Sequence, residues 1–285
     1  MIDLKPLGNT QEKIPTIGMG TWRMGGGMAP DYSRDNEEIA ALKHGLELGM
    51  WLIDTAEIYG GGHAEELVAE AIKGYPRDDV FIVTKVWSTH LHYDDVIKAA
   101  KGSLKRLRLK YVDLYLIHWP SHAVPLSETM KAMEKLVEMG LVRYIGVSNF
   151  NVSEMEEARN ALSKNDIVVN QVKYNLLDRS IERDVLPYCQ REKITIMAYT
   201  PLAKGELARN PILKEIGKKY GKTAAQVALN WLISKDHVMA IPKASSLNHV
   251  EENAGAMGWR LSPCLLYTSD AADEGLGVDL GGRRI

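Results

Sequence analysis

Short apolar runs rich in β-branched residues alternate along the chain with longer segments whose apolar positions recur every three or four residues. The short runs fall at residues 17–20, 51–54, 80–84, 112–117, 144–147, 168–172, 195–198 and 238–241. Most are apolar on both faces, as the strands of a parallel sheet covered on each side are. Helical period fills residues 36–48, 94–107, 127–139 and 223–233 between them. Ser153 with Glu156, and Thr223 with Gln226, have the spacing of capping boxes. Repeated strand–helix units of this kind predict an α/β fold on a parallel sheet. Ahead of the first unit, Leu7-Gly8-Asn9 lies between Pro6 and Pro15, which predicts a short N-terminal β-hairpin placed to plug one end of a closed barrel.

Eight such units close into a (β/α)8 TIM barrel or spread into an open doubly wound sheet. Glycine placement favours closure. An open sheet that binds a dinucleotide needs G-x-G-x-x-G after its first strand, whereas Gly18-Met19-Gly20-Thr21-Trp22-Arg23 lacks the third glycine. Trp22 would also obstruct close approach of the backbone to a pyrophosphate.

Composition narrows the partners. The 285 residues carry 35 Lys plus Arg against 37 Asp plus Glu, a formal charge of −2 with both signs mixed. No basic stripe is visible, so nucleic acid and anionic membrane are excluded as expected partners and a small molecule becomes the expected ligand. Cys189 and Cys264 are too few for a disulfide framework and form no C-x-x-C pair, which points to a reducing compartment. No basic leader followed by an apolar stretch opens the chain, and no apolar run is long enough to span a bilayer. A cytoplasmic monomer is the expectation.

In a TIM barrel the reacting groups sit at the C-terminal ends of the strands. There the sequence places Asp54, Glu57 and Tyr59 after the second strand, Lys85 after the third and His118 after the fourth. Ser148-Asn149, Gln171 and Tyr199 follow on the fifth, sixth and seventh. Each alone also fits a strand-end group that satisfies nearby backbone. Together, Asp54, Tyr59, Lys85 and His118 supply the parts of carbonyl chemistry. A phenol has a pKa of about 10, too high for ready proton donation at neutral pH. Lys85 beside Tyr59 is expected to pull that pKa down, with Asp54 holding Lys85 charged and His118 orienting a substrate oxygen. The set lacks a hydride, so a nicotinamide cofactor is implied.

The chain resembles the aldo-keto reductase family over about residues 5–257. The resemblance rests on Gly20-Thr21-Trp22, Asp54-Thr55-Ala56-Glu57-Ile58-Tyr59-Gly60, Thr84-Lys85-Val86-Trp87, Asp113-Leu114-Tyr115-Leu116-Ile117-His118-Trp119-Pro120, Gly146-Val147-Ser148-Asn149-Phe150 and Ile241-Pro242-Lys243. It implies that Tyr59 is the general acid, tuned by Lys85 and Asp54, and that His118 orients the carbonyl. It further implies that Ser148, Asn149 and Gln171 hold the nicotinamide carboxamide, that Tyr199 stacks on the ring, and that Gly20, Thr21, Trp22, Pro201 and Leu202 border the cofactor. Trp22, Trp87 and Trp119 match aromatic walls of the substrate pocket, although barrel-mouth packing would also account for them. At the adenosine end, Lys243 matches a family lysine, Ala244 replaces a serine, and His249 stands where an arginine that binds the 2′-phosphate is expected. Ser245 and Ser246 partly compensate, and Glu252 and Asn253 match the adenine contacts. The implied cofactor is therefore NADPH, with NADH possible, and the implied substrate is a small aldehyde or ketone. Thr200-Pro201-Leu202-Ala203-Lys204-Gly205-Glu206-Leu207 is a short connection where many relatives carry a long cofactor-covering loop.

Other signals lead elsewhere and fail. Residues 217–223 resemble a phosphate-binding loop but have one residue too few between the glycines and follow a helix, so they read as a helix stop and a new cap. In residues 146–150 Phe150 replaces the last glycine of a serine-hydrolase elbow. His90-Leu91-His92 lacks matching histidines on later strands, so no metal is expected. Asp54 and Glu57 share one connection and could not flank a glycosidic bond. A reading of a different class is a cofactor-bound sensor or interaction subunit that turns over little or no substrate. Residues 264–285 have neither helical nor strand period and resemble a translated sequencing adapter, interrupted by a barcode-length gap at residues 274–277. The barrel is therefore assigned to residues 1–263, with a truncated C-terminus lacking one more helix, and residues 264–285 to a non-native tail.

Overall fold

The computed structural model describes residues 2–262, and the expected tail lies outside the described residues. Strands β1 (Leu4–Pro6) and β2 (Lys13–Pro15) pair antiparallel, Lys5 opposite Ile14, and form the hairpin. Eight strands follow in one parallel sheet, neighbours in chain order: β3 (Met19–Gly20), β4 (Leu52–Asp54), β5 (Phe81–Val86), β6 (Val112–Ile117), β7 (Val142–Ser148), β8 (Ile167–Lys173), β9 (Thr195–Tyr199) and β10 (Val238–Ala240). The two outer strands meet. Ile17 bridges Ala240 in parallel, the amide of Gly18 donates to the carbonyl of Ala240 at 2.9 Å, and that of Ala240 donates to Thr16 at 2.9 Å. The sheet is closed, as the glycine pattern predicts.

The outer ring comprises α1 (Asp35–Glu47), α2 (His63–Ala71), α3 (Tyr93–Leu107), α4 (Leu126–Glu138), α5 (Val152–Asn160), α6 (Val185–Glu192), α7 (Glu206–Arg209), α8 (Pro211–Lys218), α9 (Ala224–Ile233) and α10 (Leu247–Ala254). Helix α3 shows why these segments are helical: Val96, Ala100, Leu104 and Leu107 form a buried stripe. Asp94 and Asp95 in its first turn and Lys105 and Arg106 in its last complement the helix dipole. Thr223 caps α9 in a box with Gln226, as its spacing predicts. The box on α5 is a correction. It is Asn151, not Ser153, that pairs with an acid three residues on: the amide of Glu154 donates to Asn151 Oδ1 at 2.9 Å and the amide of Asn151 to Glu154 Oε2 at 2.8 Å. Ser153 and Glu156 already lie inside the helix, which starts where Asn151 leaves the extended backbone after the buried Phe150.

The alternation of each strand builds the barrel interior in rungs. Leu52, Phe81, Val83, Leu114, Leu116, Val169, Met197, Met239 and Ile241 form one buried cluster, to which the hairpin adds Leu7 and Ile14. The hairpin thus seals the bottom. Lys5 pins it there by donating from Nζ to the carbonyls of Ile233 and Val238 at 2.7 and 2.8 Å. Gly146 belongs inside the barrel because a Cβ there would lie 2.7 Å from the Val169 carbonyl oxygen and 2.8 Å from Leu116.

Candidate active site

Two residues beyond the inner apolar rung, the same alternation turns polar. Leu52 is followed by Asp54, Val83 by Lys85, Leu116 by His118, Gly146 by Ser148, Val169 by Gln171 and Met197 by Tyr199. These form the top rung of the barrel. Tyr59 arrives differently, from the turn Tyr59–Gly62 after β4, in which Gly60, Gly61 and Gly62 all have positive φ. At Gly60 a Cβ would lie 2.3 Å from the Gly25 carbonyl oxygen, so only glycine allows this turn to lie against the loop after β3.

The four expected chemical residues converge. Lys85 is fully buried, and its Nζ donates to Asp54 Oδ2 at 2.8 Å, to the Thr55 carbonyl at 2.8 Å and to the Tyr59 hydroxyl at 3.4 Å. The Tyr59 hydroxyl lies 3.5 Å from His118 Nε2. Gln171 Nε2 donates to Asp54 Oδ1 at 2.7 Å, so both carboxylate oxygens are engaged. Burial pushes the Asp54 carboxyl up and the Lys85 ammonium down from their ordinary ranges, and their mutual attraction opposes both shifts. His118 is pushed down to about 3, by burial first and then by the Lys85 charge, so its imidazole is neutral at physiological pH.

Tyr59 departs from expectation. Burial, reinforced by the Asp54 carboxylate, holds its phenol well above the ordinary value. Lys85 does not leave Tyr59 a lowered pKa in the free protein, because its charge is spent on Asp54 and the phenolate would have to form away from water. The proton therefore stays on the phenol until something in the mouth takes it.

A second cluster adjoins this one. Ser148 donates to the Gln171 carbonyl at 2.8 Å, Asn149 Nδ2 donates to Ser148 Oγ at 3.0 Å and to the His118 carbonyl at 3.2 Å, and the Tyr199 hydroxyl donates to Asn149 Oδ1 at 2.9 Å. Asn149 has a positive φ of 64°. Hydroxyl, amide and aromatic groups next to a buried proton donor suit a carboxamide-bearing aromatic ring, so the residues fit a nicotinamide. Gly20 and Thr21 sit where β3 meets β4, Thr21 Oγ1 donating to the Asp54 carbonyl at 3.0 Å. Trp22 and Trp119 are 44% exposed, and Trp87 is half-buried with its ring centroid 5.1 Å from that of His118. Trp22 stacks edge-on to Tyr59 at 4.9 Å. Trp22 and Trp87 thus border the Tyr59–His118 pair, and Trp119 is exposed next to His118 in the chain.

Sequence reading did not assign every contact. The Thr55 carbonyl is a third partner of Lys85 that no side-chain pattern reveals. Glu57 accepts from the Trp87 amide at 2.6 Å and from His90 at 3.0 Å, bracing the turn. At the far end, Pro201 is buried and Leu202 half-buried after β9, on the expected short connection to α7. Lys243 Nζ donates to Ser245 Oγ at 3.0 Å. His249 is exposed on α10, Glu252 half-buried and Asn253 buried there. Ser245 also accepts from Arg34 Nη2 at 3.5 Å, a residue with no part in the sequence expectations.

A family model for the aldo/keto reductase family matches residues 16–273. The chain belongs to the aldo/keto reductase family. It is 44% identical over 264 residues to methylglyoxal reductase YeaE of Escherichia coli, covering 91% of each chain. The fold matches that of the thermostable aldo-keto reductase Tm1743, solved with the inhibitor epalrestat, with a TM-score of 0.91 and 48% identity over 95% of this chain and 99% of that one. An aldo-keto reductase from Klebsiella pneumoniae, solved with NADPH, matches with a TM-score of 0.88 and 39% identity over 95% of each chain. Family membership accords with the barrel and with the expected oxidoreductase class. Among the described residues no helix is long and apolar enough to cross a membrane.

Proposed function

We propose that this aldo/keto reductase is an NADPH-dependent enzyme that reduces small aldehydes and ketones, methylglyoxal among them, to alcohols, with Tyr59 as the general acid. The observation that carries this reading is the buried chain Asp54–Lys85–Tyr59–His118, opening beside the Ser148–Asn149–Gln171–Tyr199 cluster. The NADPH bound by the Klebsiella relative and the methylglyoxal activity named for YeaE support the cofactor and the substrate class.

Bound NADPH supplies the hydride. The chain supplies the rest. Ser148, Asn149 and Gln171 offer hydrogen bonds to the carboxamide, and Tyr199 offers its ring to the nicotinamide face. Lys243, Ser245, Glu252 and Asn253 border the adenosine end, and Trp22, Trp87 and Trp119 exclude water around a small carbonyl compound. His118, being neutral, donates from Nε2 to the carbonyl oxygen and sets its direction. As negative charge grows on that oxygen, Tyr59 transfers its proton. The phenolate that results lies 3.4 Å from Lys85 Nζ, so the ammonium acts on the charge as it forms rather than on the resting phenol. Asp54 keeps the ammonium in place.

The test is NADPH oxidation with methylglyoxal and a panel of small aldehydes and ketones, in the wild type and in Tyr59→Phe. General acid catalysis contributes about 10²- to 10⁴-fold, so kcat should fall by at least that range while NADPH affinity is kept. Wild-type turnover in Tyr59→Phe would overturn the acid assignment. NADPH binding without turnover of any carbonyl by the wild type would favour a cofactor-bound sensor.

A further inference from the structure

The exposed end of the site holds an arrangement that the family pattern does not account for. Arg34, just ahead of α1, and Lys243, just after β10, both donate to the single hydroxyl of Ser245, at 3.5 and 3.0 Å. Two cations and a hydroxyl thus reach one small patch, and a phosphate seated there would take charge-assisted hydrogen bonds from all three. The carboxylates nearby are committed elsewhere or weakly held. Glu38 accepts from the Gly25 amide at 2.7 Å, and Glu37 pairs with Arg34 on the surface, with both side chains more than half exposed. A surface pair of that kind contributes little and gives way to a stronger partner. A cavity of about 360 Å³ opens against Arg34, lined also by Arg23, Gly26, Gly27, Asp31 and Glu38, so the guanidinium has room to swing. Burial, with the Arg34 and Arg23 charges close by, holds the Lys243 ammonium below its ordinary range, and Glu38 counters this. The segment holding Lys243 and Ser245 is where the resemblance places the cofactor's adenosine phosphate. His249 stands there in place of an arginine, and an imidazole offers no fork of donors to a phosphate.

We infer that Arg34 is the guanidinium that binds the 2′-phosphate of NADPH, acting with Lys243 and Ser245 and taking the part that His249 cannot play. The inference rests on the proposed use of NADPH. It makes Arg34 a cofactor-selecting residue in a segment far from the one that usually carries the selection.

The experiment is calorimetric titration of the wild type and of Arg34→Ala with NADPH, NADH, adenosine 2′,5′-bisphosphate and AMP, none of which requires turnover. A charge-assisted bidentate contact at a half-exposed site corresponds to about tenfold in affinity. Arg34→Ala should weaken NADPH and the bisphosphate by about tenfold and leave NADH and AMP within about twofold. Adding His249→Arg to Arg34→Ala should restore NADPH binding, because the two guanidiniums would serve one phosphate. Arg34 is exposed, so an unchanged melting temperature will show that the variant is folded. Equal losses for NADPH and NADH, or no loss for either, would overturn the inference while leaving the proposed reductase intact. A wild type that binds neither cofactor would overturn both.

Discussion

The two ends of the proposed cofactor site are built on opposite principles. At the barrel mouth, Asp54, Lys85 and Gln171 are almost wholly buried and already hydrogen-bonded to one another. At the adenosine end, Lys243, Ser245 and Arg34 are partly or fully solvated and meet through long side chains. A buried charge must be paired with good geometry or it is not tolerated, so the mouth is organised before any ligand arrives. A solvated charge carries no such obligation. Loss of one group at the mouth should therefore damage fold and chemistry together, whereas loss at the adenosine end should change affinity alone.

The largest effect expected from this contrast is at Lys85. Lys85→Met removes one partner of a buried ion pair, a change that typically costs about 3–5 kcal/mol because the remaining charge is left without compensation. The melting temperature should drop sharply and turnover should be lost. Removing both charges sharpens the comparison: Lys85→Met with Asp54→Leu should recover much of the stability, since apolar replacement of a whole buried pair is often neutral or stabilising. Turnover should stay absent. A Lys85→Met variant as stable as the wild type would show that the mouth is not held by this pair. Arg34→Ala should leave the melting temperature where it was.

His118 gives an intermediate effect with a definite sign. Its folded pKa of about 3 lies below an unfolded value near 6.5, so between these values the unfolded chain binds more protons. Its contribution is fully present above about pH 6.5 and is lost as pH falls toward 3, with a slope of up to about 1.4 kcal/mol per pH unit. In His118→Gln this part of the slope should vanish, which denaturant unfolding at a series of acidic pH values would measure as a difference between variant and wild type. Identical acid slopes would mean that the imidazole is solvated and that the mouth is wetter than its burial indicates. The neutral ring also predicts that kcat shows no His118 titration near pH 6.5.

The same contrast governs what could be read from the sequence. The top rung was legible because each polar residue stands two places beyond an apolar inner one, as Leu52 does before Asp54 and Val83 before Lys85, and the period of a strand is fixed. Closure of the sheet followed from Gly18-Met19-Gly20-Thr21-Trp22-Arg23 departing from the dinucleotide pattern. The hairpin was legible from its turn and its prolines, and its role as a plug is confirmed by Leu7 and Ile14 in the inner cluster. What failed depended on environment or distance. The rise of the Tyr59 pKa is not legible, because a sequence places Lys85 at the next strand end but does not show that desolvation outweighs its charge. The capping box on α5 was displaced by two residues because Ser and Asn compete for the cap and only the backbone after Phe150 decides. The contact of Arg34 with Ser245 is not legible because the two are 211 residues apart in sequence and a long side chain obeys no period.

The smallest effect expected concerns residues 264–285, which we propose are a non-native tail. The described chain is tied down up to its end without them. Asn230 Nδ2 donates to the carbonyls of Ala256 and Trp259 at 2.9 Å, and the Leu261 amide donates to Asn230 Oδ1 at 3.0 Å. Asp3 accepts from the Gly258 amide at 2.9 Å and from Arg260 at 2.6 Å, and the Ser262 amide donates to the Tyr220 hydroxyl at 3.0 Å. These contacts join the end of the barrel to α9 and to the N-terminal hairpin, and the proposed cofactor and substrate groups all lie before Pro263. The family model nevertheless runs on to residue 273, which gives the alternative a definite consequence. If residues 264–273 pack as part of the family fold, deleting them exposes the apolar surface they cover, at about 25 cal/mol per Å². A chain ending at Pro263 should instead keep the melting temperature within about 2 °C, less than a shift of 1 kcal/mol would produce, and bind NADPH as the full chain does. A drop of 5 °C or more, or about tenfold weaker NADPH binding, would make residues 264–273 part of the barrel and overturn the adapter reading for that stretch.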